Sequence, residues 1–205
     1  MNFLDICKKV NQLGQLQGSL SSVSATGYQG ELVEVVRKSF LDIQLYRKDW
    51  NFLKQSITFS TVEDEYSNSD VAEWKKDMIL YGHRPLQVLD FDTYSKIDLS
   101  QETPGIPAYV TIRPNDKALL FNPLDAEYSI TAHYYRKPQE LVNNTDIPIL
   151  PSEHHYLIVY AALSNLTSYI SSDIYQVSLN NYNIGMGQLM RKELPGKSVR
   201  MRPLA

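Results

Sequence analysis

Cysteine is almost missing from this chain: Cys7 is the only one in 205 residues. A lone thiol cannot close an internal disulfide, and a zinc cluster built on several cysteines is ruled out. Glycine and proline are sparse, nine and ten, which excludes collagen-like and low-complexity chains. The longest apolar block, Tyr156 to Leu163, is eight residues, far short of the roughly 18 that span a bilayer. It reads as part of a soluble helix. The start, Met-Asn-Phe-Leu-Asp-Ile-Cys-Lys-Lys, lacks the apolar core of a secretory signal. The chain is therefore expected to be made and kept in a cytoplasm, or in something assembled there. A phosphate-cradling loop is also lacking, since Gly14-x-x-x-Gly18 has no Gly-Lys-Ser/Thr after it and does not link a strand to a helix. Nor is there an excess of basic charge. Lys plus Arg is 20 against 23 Asp plus Glu, a net −3, so an overall nucleic-acid footprint is absent.

What is present is a chain long enough for one large domain, or for one domain carrying an insertion. Folding should bury about 70% of the unfolded surface, so no staple is needed. Its charge is unevenly placed. From Met190 to Ala205 there are five basic residues and one acid, a net +4, which leaves −7 on the first 189 residues. An acidic body ends in a basic tail.

Hydrophobic spacing predicts a short helix over residues 2–14, from Phe3, Ile6, Val10 and Leu13, then a Gly/Ser loop over 14–27. A long helix is predicted from Tyr28 to Asp49, its stripe formed by Leu32, Val35, Val36, Ser39, Phe40, Ile43, Tyr46 and Trp50. At Gln55 the period changes to two. Residues 63–70 read as an acidic surface loop, and Ala72 to Leu80 fits either a short helix or an irregular strand. Strands are predicted over 86–91, 108–113, 118–121 and 128–135. The turn-like segments Arg113–Lys117 and Asn122–Ala126 join the last three, giving an antiparallel meander with one buried face. After a Pro-bounded connector, Ser152 is placed as the N-cap of a helix running to about Ile170. Ser171-Ser-Asp173 either caps a fourth helix, over about 174–194, or kinks a single long one. Pro195-Gly196 stops it, and an extended tail remains.

Few residues nominate chemistry. His154 and His155 follow Glu153, but adjacent helical residues point about 100° apart and cannot share a metal ion as an i, i+4 pair does. They read as two partly exposed helix residues. Asp90 and Asp92, two apart on a strand, face one side and could form a glycosidase-like carboxylate pair, although such pairs are also ordinary on a solvated sheet face. Lys8 and Lys9 beside Cys7 could lower its pKa; half-buried packing is the other reading, and no histidine partner is nominated. Fourteen Tyr against eight Phe plus Trp suit amphipathic contact surfaces, or simply alternate along strands. The basic tail is either a solvated end or a segment that docks on an acidic or phosphate-bearing partner.

An ordered set of segments carries a family resemblance. They are Asp70-Val-Ala-Glu-Trp-Lys-Lys-Asp77, Pro85-Leu-Gln-Val-Leu-Asp-Phe-Asp-Thr-Tyr94, Gly105-Ile-Pro-Ala-Tyr-Val110 and Leu119-Leu-Phe-Asn-Pro-Leu-Asp125. Tyr134-Tyr-Arg-Lys-Pro-Gln-Glu-Leu141, Asp146-Ile-Pro-Ile-Leu-Pro151 and His155-Tyr-Leu-Ile-Val-Tyr-Ala-Ala162 complete it. Together they resemble the head-to-tail adaptor (connector) proteins of tailed bacteriophages, from the first helix to about Pro195. The resemblance implies an α+β fold: a bundle of about four helices, an inserted antiparallel β subdomain and an extended C-terminal tail. The expected division is 1–54 and 137–194 for the bundle, 55–136 for the insertion and 195–205 for the tail.

The resemblance also implies a ring, usually of twelve copies, below the portal protein and above the tail nozzle or tail tube, with DNA passing through its centre. The chain would then be a non-enzymatic structural virion protein at the head-tail junction, assembled in the host cytoplasm. It would have no catalytic residue, cofactor, metal or membrane. Portal contacts would fall on Leu194, Lys197, Arg200, Met201 and Arg202. A second reading is a carbohydrate-binding or glycan-active module using Asp90 and Asp92 on the β insertion. A third is a sibling head-completion or tail-completion protein of the same stack.

Overall fold

The structure is a computed structural model and describes residues 1–61 and 64–194. The chain is mixed α+β and divides into two compact units. One combines Met1–Phe52 with the segment from Pro138 onward; the other is Leu53–Lys137.

In the helical unit, α1 (Phe3–Leu13) opens on a capping box. The Asn2 side chain accepts from the Asp5 N–H at 2.8 Å and the Asp5 carboxylate accepts from the Asn2 N–H, so two of the otherwise orphaned N-terminal donors are satisfied. Phe3, Ile6, Cys7 and Val10 are its buried face. The Gly/Ser segment that follows is less free than its composition suggests. Leu20 and Val23 are buried, and the Val23 N–H donates to Asn144 Oδ1 at 2.8 Å. Helix α2 (Tyr28–Leu45) buries Leu32, Val36, Ser39, Phe40 and Ile43 as expected, and adds Val33 and Gln44. It stops short of Asp49, leaving Tyr46 exposed. Trp50 is nevertheless fully buried, its indole donating to the Ile43 carbonyl at 3.2 Å.

Two more helices lie beyond the connector. A single 3-10 turn precedes α4 (His155–Asn165), and Ser152 does not cap it. The residue ahead of that turn is Pro151, the one ahead of α4 is His154, and neither makes a side-chain capping bond. Helix α4 buries Leu157, Ile158, Val159, Ala161, Ala162 and Leu163, more than one face of a helix can hold. A helix apolar all round belongs inside, and α4 packs against α1, α2 and α5 (Ser172–Glu193). The Ser171 hydroxyl accepts from the Ile174 N–H, so 171–173 is a cap and α4 and α5 are separate helices.

The other unit holds eight strands among its described residues: β1 (Lys54–Thr61), β2 (Glu65–Tyr66), β3 (Val71–Tyr81), β4 (Arg84–Pro85), β5 (Gln87–Leu89), β6 (Tyr109–Ile112), β7 (Leu119–Phe121) and β8 (Tyr128–Arg136). They form two sheets, ordered β1-β8-β3-β4 and β2-β7-β6-β5. The predicted meander holds for the antiparallel pair β6 and β7 and fails at its last strand, since β8 leaves β7 and pairs antiparallel with β1 and β3. Strand β5 lies parallel to β6. A parallel pair needs a crossover of about a dozen residues or more. Here that is the stretch from Asp90 to Ala108, with the short helix α3 (Phe91–Tyr94) inside it.

Strand β3 settles the ambiguity over 72–80. Its register to β8 jumps between Trp74, opposite Tyr134, and Ile79, opposite Ala132, so extra residues bulge out and the period of two is lost. Gly82, at φ 59°, turns β3 into β4, a backbone angle that glycine adopts without steric cost. Trp74, Ile79, Ile130, Ala132 and Tyr134 of one sheet share a core with Val110, Leu119 and Phe121 of the other. Across that core Phe59 stacks on Tyr66 with rings 9° from parallel. The polar ends of the buried aromatics are met: Trp74 donates to the Lys117 carbonyl at 2.6 Å and Tyr94 to the Phe121 carbonyl at 2.8 Å.

The helical unit is closed by a side chain. Buried Gln44 accepts from the Gln139 N–H at 2.8 Å and donates to the Gln139 carbonyl at 3.0 Å, as a neighbouring strand would. Arg37 Nε donates to the Leu141 carbonyl at 2.8 Å. Replacing Gln44 with Leu strands both backbone groups, which costs about 1–3 kcal/mol for an unmet buried polar group. Urea denaturation of Gln44→Leu should show that loss at unchanged slope; an unaltered midpoint would show the pairing to be idle.

Candidate functional site

The sequence-nominated residues do not converge. Cys7 is fully buried, and burial pushes its thiol up to about 12 against the opposing pull of the Arg37 charge. The expectation that Lys8 and Lys9 would activate it fails because desolvation penalises the thiolate more than nearby cations favour it. His155 is buried, not partly exposed. Its Nδ1 faces the Met1 amino group at 3.0 Å and its Nε2 the Leu150 carbonyl at 2.9 Å. An imidazole bonded at both nitrogens has neither left for a metal. Neighbouring His154 has its Nε2 3.5 Å from Glu153. Among the described residues no group of three or more His, Cys, Asp and Glu could hold a metal ion, and no helix is long and apolar enough to cross a membrane.

Asp90 and Asp92 are not a strand pair. The strand ends at Leu89, and Asp90 is the N-cap of α3, its carboxylate accepting from the Asp92 N–H at 3.2 Å. A carboxyl far below its ordinary range lies elsewhere, at Asp116, brought down to about 2 chiefly by its bonds from Arg113. Arg113 also bonds Glu65, so this ion cluster ties the β6–β7 turn to β2 on the outside of the strand unit and stabilises a loop.

Surface remains where chemistry is thin. Helix α5 is 22 residues long yet buries only Ser178, Met186 and Leu189. It lies close on α4: a Cβ added at Gly185 would sit 3.0 Å from Leu157 Cδ1. A mostly apolar groove of about 320 Å³ runs along one flank, lined by Leu13, Tyr160, Leu163, Ile174 and Val177. A second of about 330 Å³ lies on the other flank, with Ser39, Asp42, Asn165 and Tyr182 in its walls. At the end of α5, Lys192 pairs with Glu153 and the Leu194 N–H closes on the Met190 carbonyl at 3.2 Å. Of the tail residues nominated by the sequence, Leu194 is thus the last described, while Lys197, Arg200, Met201 and Arg202 lie outside the described residues. Sequence reasoning missed α5 as a surface because its apolar residues look like an ordinary stripe; the signal available was the lack of charge among them.

A chain whose reactive side chains are buried or spent on structure, and whose longest helix is largely uncovered, has the features of an assembly component. Residues 1–204 match the family model described as SU10 adaptor protein, and the chain belongs to that family. It is thus a phage head-tail adaptor, a structural protein of the virion that interacts with portal and tail components. The family is structural and is not known for enzymatic activity. No curated protein matches the chain.

Two outcomes follow from the buried groups. In the native protein Cys7 should react with a thiol-specific disulfide reagent at least about a hundredfold more slowly than in urea, because its thiolate is suppressed and shielded; equal rates would mean that the site opens readily. His155 is held below its ordinary pKa, first by desolvation. The unfolded chain therefore binds the extra proton first, so stability is full above the usual histidine value of about 6.5 and falls as pH drops through it. Urea midpoints between about pH 7.5 and 5.5 should decline for the wild type and decline less for His155→Gln; parallel slopes would remove His155 as the cause.

Proposed function

We propose that the chain assembles into a closed ring, of twelve copies, that joins the portal to the tail nozzle or tail tube and lets DNA pass through its centre. Family membership across residues 1–204 carries the reading. The charge distribution supports it. The first 189 residues sum to −7, and an acidic wall gives passing phosphates no counter-ion exchange to hold them, since DNA affinity is built from Lys and Arg contacts.

The tail carries the opposite charge. Lys197, Arg200 and Arg202, with Leu194 and Met201 as apolar contacts, are the portal-binding residues in this proposal. Ordering such a segment on its partner costs conformational entropy, which interface contacts offset. In this reading residues 195–205, which lie outside the described residues, carry the portal contact, the helical unit is the ring body and 55–136 its inserted β subdomain, with particles assembled in the host cytoplasm.

A chain ending at Leu194 should keep its helix content and lose portal binding, with the apparent Kd rising at least tenfold in a pull-down or surface-binding titration. Undiminished binding would sink the tail assignment. Cryo-EM of portal complexes tests the ring, and a single copy per portal would defeat it.

A further inference from the structure

We propose that α5 is the face on which a second copy of this chain seats, an inference that rests on the ring reading above and locates its copy-to-copy contact. From Ile174 to Met190, seventeen residues, α5 carries no Asp, Glu, Lys or Arg. Surface helices ordinarily set charge on the face turned from the core. Here Gln176, Asn180 and Asn183 hold those positions, and between them Val177 and Ile184 stand 60% and 51% exposed. Seven residues apart, the two branched side chains share one face and form an apolar ridge. Beside it lies a groove lined by Leu13, Tyr160, Leu163 and Ile174, with Asp173 at the start of α5 its one charged residue among those described. In a ring each copy meets the next through two different patches, and the α5 ridge supplies one of the two.

Charge selects the occupant. A nucleic acid would need Lys or Arg on this face, and a strongly charged protein partner would need the opposite sign; α5 offers neither along that run. Copies of a net acidic chain repel one another overall, and interface centres are depleted of charged residues, so an uncharged apolar surface is where a second copy meets the least penalty. The −7 body has such a surface along α5.

The full-length double variant Val177→Asp/Ile184→Asp tests this by analytical ultracentrifugation, with circular dichroism and a thermal melt as the check on folding. Both side chains are exposed, so the melt should be unchanged while the apparent Kd of self-association rises at least tenfold; Val177→Lys/Ile184→Lys should do the same, since either sign is repelled from an apolar contact. A separate readout does not depend on those variants folding. In Ile184→Cys, assembly should slow maleimide labelling at least tenfold relative to the diluted monomer, with buried Cys7 silent. If the wild type assembles while the charged variants assemble equally well and the thiol of Ile184→Cys labels freely, α5 is overturned and the ring stands. If the wild type stays monomeric with and without portal, the ring reading itself fails, and the α5 contact with it.

Discussion

The helical unit depends on a return journey. Its first two helices end at Leu45, the chain then builds a whole strand unit, and the helix that completes the core, α4, begins only at His155. Closing an excursion of that length costs loop entropy, though the cost grows only with the logarithm of length. What offsets it is concentrated on the returning segment. Gln44 meets both backbone groups of Gln139, Arg37 meets Leu141, and Asn144 takes the Val23 N–H while its own carbonyl takes the Leu4 N–H. Those contacts fix the segment that leads into α4, whose apolar surface packs on α1 and α2.

That dependence explains which features are visible in the sequence. The helices α1 and α2 announce themselves by local period, α4 by its apolar run and α5 by its cap, and β1, β6, β7 and β8 by alternation; their boundaries shift where a cap or turn chooses differently, as at Leu45 and Asn165. What stays hidden is non-local. Gln44 looks like a surface amide until its partner 95 residues later is known. The parallel pairing of β5 with β6 is a property of the crossover and is not written in either strand. Trp74 to Ile79 shows no period because the bulge removes it.

The chemistry is misplaced for a related reason. Neighbours in sequence suggest one state for Cys7 and His155, but burial decides another, against the opposing pulls of Arg37 and Leu150. Asp90 reads as a strand residue, yet its carboxylate caps a turn. The segment-by-segment family resemblance is a better guide than any single side chain, because it samples order along the whole chain, and the adaptor family match covers that same range. An adaptor places its specificity in extended surfaces, which leave weak marks on any one residue and a clear one on composition. The uncharged run of α5 is such a mark.

The glycine at 185 gives that helix a mechanical character. With no side chain there, α5 rests almost backbone-first on Leu157 of α4, and α4 is wedged against α1 and α2 in turn. Close-packed interiors yield little and pass strain onward. A load applied to α5 from outside therefore passes into α4 along the contact that includes Leu157.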